Sequence, residues 1–137
     1  MRHLVDTDWV VDYLTGQKPA GDLFATLLQG GVAISIISLS EIYEGIYGSR
    51  DPKLAEAAFR LFLREVPVLG ISRAIAKRNG QIRMELRRHR HQIAHRALDL
   101  LIAATALEHD LILVTRNLID YTDVPGLKIH KAEHQTT

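Results

Sequence analysis

The sequence predicts an α/β domain, a parallel sheet with helices on both faces, and three observations carry that prediction. Short β-branched or aliphatic runs, HLV at 3–5, VAISII at 32–37 and LILV at 111–114, are separated by longer segments of helical periodicity. The run at 32–37 is apolar at nearly every position, as in a strand covered on both sides rather than on one. The chain has 137 residues, enough for one domain with a substantial core. Strands alternating with helices in a domain of that size make a parallel sheet the economical arrangement.

The elements follow in order. A strand over 3–6 feeds a helix at TDWVVDYL, where Thr7 or Asp8 supplies the cap by accepting from an unpaired first-turn N–H. Gly16 ends that helix. Pro19 suits the first turn of a second helix over 20–28, where its missing N–H costs nothing, and Gly30 and Gly31 close it. After the strand at 32–37, Ser38 or Ser40 caps a helix whose Leu39, Ile42, Tyr43, Ile46 and Tyr47 form an apolar stripe ending at Gly48. Asp51 and Pro52 start another helix running to Arg64. VPVL at 66–69 is an edge strand, because Pro67 cannot donate to a ladder. Ser72 caps a long helix from Arg73 toward Arg90, weakened or bent at Gly80. ALDLLIAATAL at 97–107 is too long for a strand and reads as a buried helix. It leads to the strand at 111–114, a polar exit TRN, a turn at Val124, Pro125 and Gly126, and a last short strand LKIH.

One globular domain over residues 1–133 is expected, with 134–137 frayed. The chain contains no cysteine, which excludes a disulfide framework, a thiol nucleophile and thiolate metal ligands. No apolar stretch approaches the roughly 18 residues of a membrane span, so the expected location is cytoplasmic, away from any membrane. The net charge of +1 names no partner, but its distribution is uneven. Between residues 73 and 96, Arg73, Lys77, Arg78, Arg83, Arg87, Arg88, Arg90 and Arg96 stand against the single acid Glu85, with His89, His91 and His95 among them. That stretch is either a solvated helix face or a surface that holds a polyanion beside an acidic centre. No aromatic stacking platform accompanies it, so it would position a phosphate backbone rather than read bases.

In open parallel sheets ligands sit beyond the carboxyl ends of the strands. That rule selects Asp6 at the end of the first strand, Glu41 after the second, and Asn117 with Asp120 after LILV. Asp99 begins the apolar helix and lies at the mouth of the same crevice, where a carboxylate among leucines is costly unless exposed or paired. Acids gathered this way repel unless a cation compensates. Mg²⁺ suits an all-oxygen set, Mn²⁺ is compatible with it, and zinc is less natural for want of a compact histidine cluster. The chemistry so indicated is metal-assisted phosphodiester hydrolysis. Asp8 is a cap or a support for the ligands, and Thr115 orients a ligand or satisfies a strand-end amide.

VDTDWVVDYL, SIISLSEIYEG and ALDLLIAATALEHDLILVTRNLIDY, in that order, resemble the PIN-domain family, especially the VapC toxins of toxin–antitoxin pairs, over nearly the whole chain. The resemblance places the family's first three metal-site acids at Asp6, Glu41 and Asp99. The fourth falls at Asn117 or Asp120, since TRN carries an amide where an acid also occurs in the family. It implies a three-layer α/β/α fold with strand order 3-2-1-4-5 and Mg²⁺- or Mn²⁺-dependent cleavage of RNA. It further implies a homodimer and neutralisation by a VapB-like antitoxin in a hetero-oligomer, one segment of the antitoxin lying in a groove. Competing readings are a DNA or flap nuclease of the same fold, a Mg²⁺-binding receiver-like switch, and a non-catalytic RNA- or protein-binding module. The separated acids and the absence of a late-strand lysine disfavour the switch.

Overall fold

The computed structural model describes residues 1–131. The elements run β1 (His3–Val5), α1 (Thr7–Leu14), α2 (Lys18–Leu27), β2 (Val32–Ser35), α3 (Ile36–Tyr47), α4 (Pro52–Leu63), β3 (Val68–Leu69), α5 (Arg73–Arg88), α6 (Ala97–Glu108) and β4 (Ile112–Val114), with short 3₁₀ turns at Leu28–Gly30 and Leu118–Asp120. The strands form one parallel sheet in the order β3-β2-β1-β4. Among the described residues, no helix is long and apolar enough to cross a membrane.

Side chains alternate across a strand, and that alternation divides the core in two. Leu4, Ala33 and Leu113 face one side, where Ile75, Ile82 and Leu86 of α5 and Leu100, Ala103 and Ala104 of α6 cover them. Val5, Val32, Ile34 and Val114 face the other, against Val10, Phe24, Ile42, Phe59 and Phe62 from α1 to α4. Each fully buried Leu, Ile or Phe contributes roughly 1.5–3 kcal/mol, so both helical layers are held by the central strands. The result is a three-layer α/β/α domain.

Three expectations are corrected. Strand β2 stops at Ser35 instead of running to Ile37, although Ile36 and Ile37 are β-branched. Ser35 itself caps α3, its Oγ accepting from Ser38 N at 3.0 Å, so the cap is neither Ser38 nor Ser40. A side-chain cap thus overrides strand propensity. The cap of α1 is Asp6 and not Thr7 or Asp8: its backbone is extended and its Oδ1 accepts from Thr7 N at 2.9 Å.

The third correction concerns the sheet, which has four strands among the described residues, not the five of the order 3-2-1-4-5. The LKIH segment makes a single parallel bridge, Ile129 to Leu113. Two backbone bonds flank it, Leu113 N to Lys128 O and His130 N to Leu113 O, each 2.8 Å. The turn through Gly126, at φ +78°, delivers the chain to β4 for only that contact. The expected fraying at 134–137 lies outside the described residues.

Other local expectations hold. Asp51 and Ser72 cap α4 and α5, accepting from Leu54 N at 3.2 Å and Ile75 N at 3.1 Å. Gly31 precedes β2 at φ +87°, where a Cβ would stand 2.9 Å from the Met1 Cα. Only glycine satisfies that backbone without displacing the chain's first residue.

Candidate active site

All four strands are parallel, so their carboxyl ends share one edge, and the acids collect there. Asp6 follows β1 directly and is tied to β4 by its own N–H, which donates to Val114 O at 2.9 Å. That pairing puts Thr115, the first residue beyond β4, beside Asp6: Thr115 Oγ1 donates to Asp6 Oδ2 at 2.8 Å. Both carboxylate oxygens of Asp6 are therefore held, Oδ1 by the helix it caps and Oδ2 by Thr115. Thr115 Oγ1 also accepts from Asn117 N at 3.0 Å.

Glu41 lies in the second turn of α3, since the helix begins at Ile36, earlier than expected. Thr7 Oγ1 donates to Glu41 Oε1 at 2.5 Å and stands 3.0 Å from Ser38 Oγ, joining the first turn of α1 to α3. Asp99 is in the first turn of α6. Its Oδ1 accepts from the hydroxyl of Tyr121 at 3.2 Å. Asp120 ends the second 3₁₀ turn, and its Oδ2 accepts from Asn117 Nδ2 at 2.6 Å. Asn117 thus faces the crevice as a partner of Asp120. Asp8 is exposed on α1, and its charge acts on Asp6.

The electrostatics record how close these groups are. Burial pushes the Asp6 carboxyl up from its usual range, and Asp8 and Glu41 push it further, against the hydrogen bonds from Thr115 and Thr7. Asp99 is pushed up to about 6, first by burial and then by the charges of Asp6 and Asp120, with the Tyr121 hydroxyl opposing. Tyr121 is fully buried, and its hydroxyl is held protonated by burial and by the charges of Asp6, Asp99 and Glu41. Burial comes first in each shift, and the neighbouring carboxylates add to it at this edge of the sheet.

An all-oxygen set with surplus negative charge fits a hard divalent cation in its chemistry. The side chains are nevertheless turned toward protein donors: among the described residues, no three acidic or imidazole groups stand together in ligating geometry. Thr7 and Tyr121, which sequence reasoning left out of the site, supply several of those donors, and Ser38 Oγ stands beside the Thr7 hydroxyl. Tyr121 was recoverable in principle as an aromatic directly after Asp120. Its aim at Asp99, twenty-two residues away, was not.

The basic residues divide. Ile75, Ile82 and Leu86 turn one face of α5 into the core, leaving Arg73, Lys77, Arg87 and Arg88 exposed, with Arg90 exposed just beyond the helix. Arg83 is half-buried, and Arg78 pairs with Glu108 at 3.1 Å. His91 Nδ1 stands 3.0 Å from Asp123 Oδ2, which brings the basic end of α5 beside the loop carrying Asp120. His89 lies 3.0 Å from Glu85, one turn back along α5. Arg96 departs from the expectation of a solvent-facing cation: it is 7% exposed, and its guanidinium is committed to Asp123 at 2.6 Å. Arg116, between the two residues that hold Asp6 and Asp120, lies over the Trp9 ring at 3.9 Å and pairs with Asp12.

A second feature lies away from the acids. Two adjoining apolar clefts, of about 350 and 180 Å³, open between α1, α3 and α4 and share Leu14 and Ala58. Tyr13, Leu61, Phe62 and Val66 line the first, and Val11, Ile42 and Ile46 the second.

Fold and site together define a class, a parallel α/β/α domain with an acidic crevice at the carboxyl edge of its sheet. Residues 3–124 match the PIN domain family. The chain is 32% identical over 130 residues to the tRNA(fMet)-specific endonuclease VapC of Shigella flexneri, covering 93% of this chain and 96% of that protein. It is also 32% identical over 128 residues to ribonuclease VapC19 of Mycobacterium tuberculosis, covering 91% and 96%. Among solved structures it superposes on DNA-bound VapBC from Salmonella typhimurium with a TM-score of 0.82 at 27% identity, covering 95% of this chain and 97% of that one. It shares its fold with VapBC2 from Rickettsia felis, with a TM-score of 0.84 at 24% identity, covering 97% and 100%. The chain belongs to the PIN-domain family, among its VapC-type toxins.

Proposed function

We propose that the protein is a divalent-metal-dependent endoribonuclease, the toxin of a toxin–antitoxin pair. The observation that carries this reading is the gathering of Asp6, Glu41, Asp99 and Asp120 at one sheet edge, where burial, joined by the charges of the neighbouring acids, raises the proton affinity of Asp6 and Asp99. Asp6, Glu41 and Asp99, with Asp120 as the fourth acid and Asn117 as its partner, would hold Mg²⁺ or Mn²⁺. When bound, the cation supplies charge neutralisation at the attacked phosphate and a lowered pKa for the attacking water.

The chain's own groups have separable tasks. Thr115 and the Thr7 N–H orient Asp6, the Thr7 hydroxyl orients Glu41, and Tyr121 orients Asp99. Arg73, Lys77, Arg83, Arg87, Arg88 and Arg90 hold the RNA backbone along α5 and into the crevice, which places a phosphodiester without selecting a base. The apolar clefts between α1, α3 and α4 receive a segment of a VapB-like antitoxin, and the toxin itself pairs as a homodimer. The solved VapBC complexes support the antitoxin assignment by likeness.

The test is incubation of purified protein with total RNA and, in parallel, single- and double-stranded DNA, in Mg²⁺, in Mn²⁺ and in chelator, with ends mapped. Metal-dependent cuts in RNA, lost in Asp6→Asn and Asp99→Asn, are expected. Cleavage of DNA alone, or equal cleavage by both variants, would overturn the reading.

A further inference from the structure

Arg96 is the one member of the basic stretch that the fold withdraws from solvent, and it stands where two of the candidate acids meet. Its backbone caps α6, the Arg96 carbonyl accepting from Leu100 N at 2.9 Å, so the first turn carrying Asp99 starts on this residue. Its side chain reaches the other way. Nη1 donates to Asp123 Oδ2 at 3.0 Å and to Gln92 O at 2.6 Å; Nη2 donates to Asp123 Oδ1 at 2.6 Å and to Asp120 O at 2.8 Å. The bidentate fork fixes Asp123 in orientation as well as distance. The bond to the Asp120 carbonyl fixes the backbone from which the Asp120 carboxylate and the Tyr121 ring project.

The remaining donor is unspent. Arg96 Nε is buried without a hydrogen-bond partner among the described residues, 4.0 Å from Asp120 Oδ1. A buried N–H left unmade is costly. Asp120 meanwhile keeps its other oxygen on Asn117. The linker that delivers Arg96 holds two non-glycine residues at positive φ, Arg90 at 61° and His95 at 65°. Such strain persists only where surrounding contacts over-determine it, and the Arg96–Asp123 fork is such a contact.

We infer that Arg96, locked by Asp123, is a positioning residue that sets Asp120 and Tyr121 against Asp99, and that it takes no part in holding RNA. The inference rests on the ribonuclease reading for its kinetic consequence and on the geometry alone for its structural one. Asp120 has two resting partners within a small side-chain movement, the Asn117 amide and Arg96 Nε, so the arginine limits where this carboxylate can go. A phosphate-binding arginine would do the opposite, acting on substrate affinity and leaving the loop unaffected.

The experiment compares wild type with Arg96→Gln, Arg96→Lys, Asp123→Asn and the exposed-site variant Arg88→Gln. Steady-state RNA cleavage is followed at several salt concentrations, and amide hydrogen exchange is read without metal. Arg96→Gln should lower kcat by about 10–100-fold, the range seen when a support of a metal ligand is lost. KM should stay within about twofold, because the bond lost is not to substrate. Exchange should quicken across 118–124 and stay unchanged in β1 and β4. Arg96→Lys should fall between, since an ammonium cannot reproduce the fork. Arg88→Gln should show the converse, a raised KM and a flatter salt dependence.

A raised KM with preserved kcat in Arg96→Gln would make it an RNA contact and overturn the inference, as would unaltered kinetics and exchange. If Arg96→Gln fails to fold, Asp123→Asn decides on the same readouts. Should wild type cleave no RNA, the ribonuclease reading fails, and quickened loop exchange in Arg96→Lys still upholds the anchoring.

Discussion

Replacing Asp99 by asparagine should stabilise the metal-free protein, and the size of the effect can be worked from the site. Asp99 binds its proton with a pKa of about 6 in the fold against its ordinary 3.8, mainly because burial and the charges of Asp6 and Asp120 oppose ionisation. The sign follows from linkage: the raised folded pKa favours folding in full below pH 3.8, and that contribution is lost as pH rises through about 6. Above that point the folded protein carries an ionised acid it disfavours. Each pH unit is worth about 1.4 kcal/mol, so an unscreened group would cost about 3 kcal/mol. Asp99 is partly exposed, and solvent screening takes this to about 1 kcal/mol. Asparagine keeps an acceptor for Tyr121 and gains a donor toward Asp120. Urea unfolding in chelator should therefore show Asp99→Asn more stable than wild type by about 1 kcal/mol at pH 7.5, equivalent to a midpoint roughly 3 °C higher. Near pH 4 the difference should largely vanish. Added Mg²⁺ should reverse the order, stabilising wild type and leaving the variant unmoved. A variant less stable at pH 7.5, or equally stabilised at both pH values, would refute the electrostatic account.

Other perturbations test other parts of the structure. Thr115→Val removes the donor to Asp6 from a buried position at nearly constant volume. Cleavage should fall about 10–100-fold for a loss of stability near 1 kcal/mol, measured by paired kinetics and urea titration. Gly31→Ala combines a positive φ with a Cβ 2.9 Å from the Met1 Cα and should cost about 1–3 kcal/mol in unfolding free energy without altering the RNA ends produced. The triple variant Arg87→Gln, Arg88→Gln, Arg90→Gln should lower the slope of log affinity against log salt for single-stranded RNA by about 2, roughly 0.7 for each phosphate contact removed. An unchanged slope in the folded variant would remove the end of α5 from the RNA surface.

Much of this site was legible before any coordinates because the rule that names it is topological. Once strands and helices alternate, the carboxyl ends of the strands must share an edge, and Asp6 and Asp120 follow from their places in the chain. Glu41 and Asp99 needed the crossover helices as well, and the structure brings both to the same edge. The misplaced details are those that a side chain decides against its neighbours' propensities. Ser35 ends β2 two residues early by capping α3, and Asp6 serves as cap and crevice acid together. The terminal LKIH segment has strand composition, yet it meets β4 at one bridge only.

By itself the sequence determined the order of elements, the two-sided burial of the central strands and the set of acids facing one edge. These are read from periodicity, apolar content and turn chemistry, which act over a few residues. The tertiary structure decided which partner each acid takes: Thr115 for Asp6 across 109 positions of chain, Tyr121 for Asp99, Asn117 for Asp120. It also decided that Arg96, alike in sequence to its basic neighbours, is buried against Asp123 and the Asp120 carbonyl. A charged side chain is placed by whether a buried partner of opposite charge lies within reach, and that depends on contacts between distant segments that no local pattern encodes.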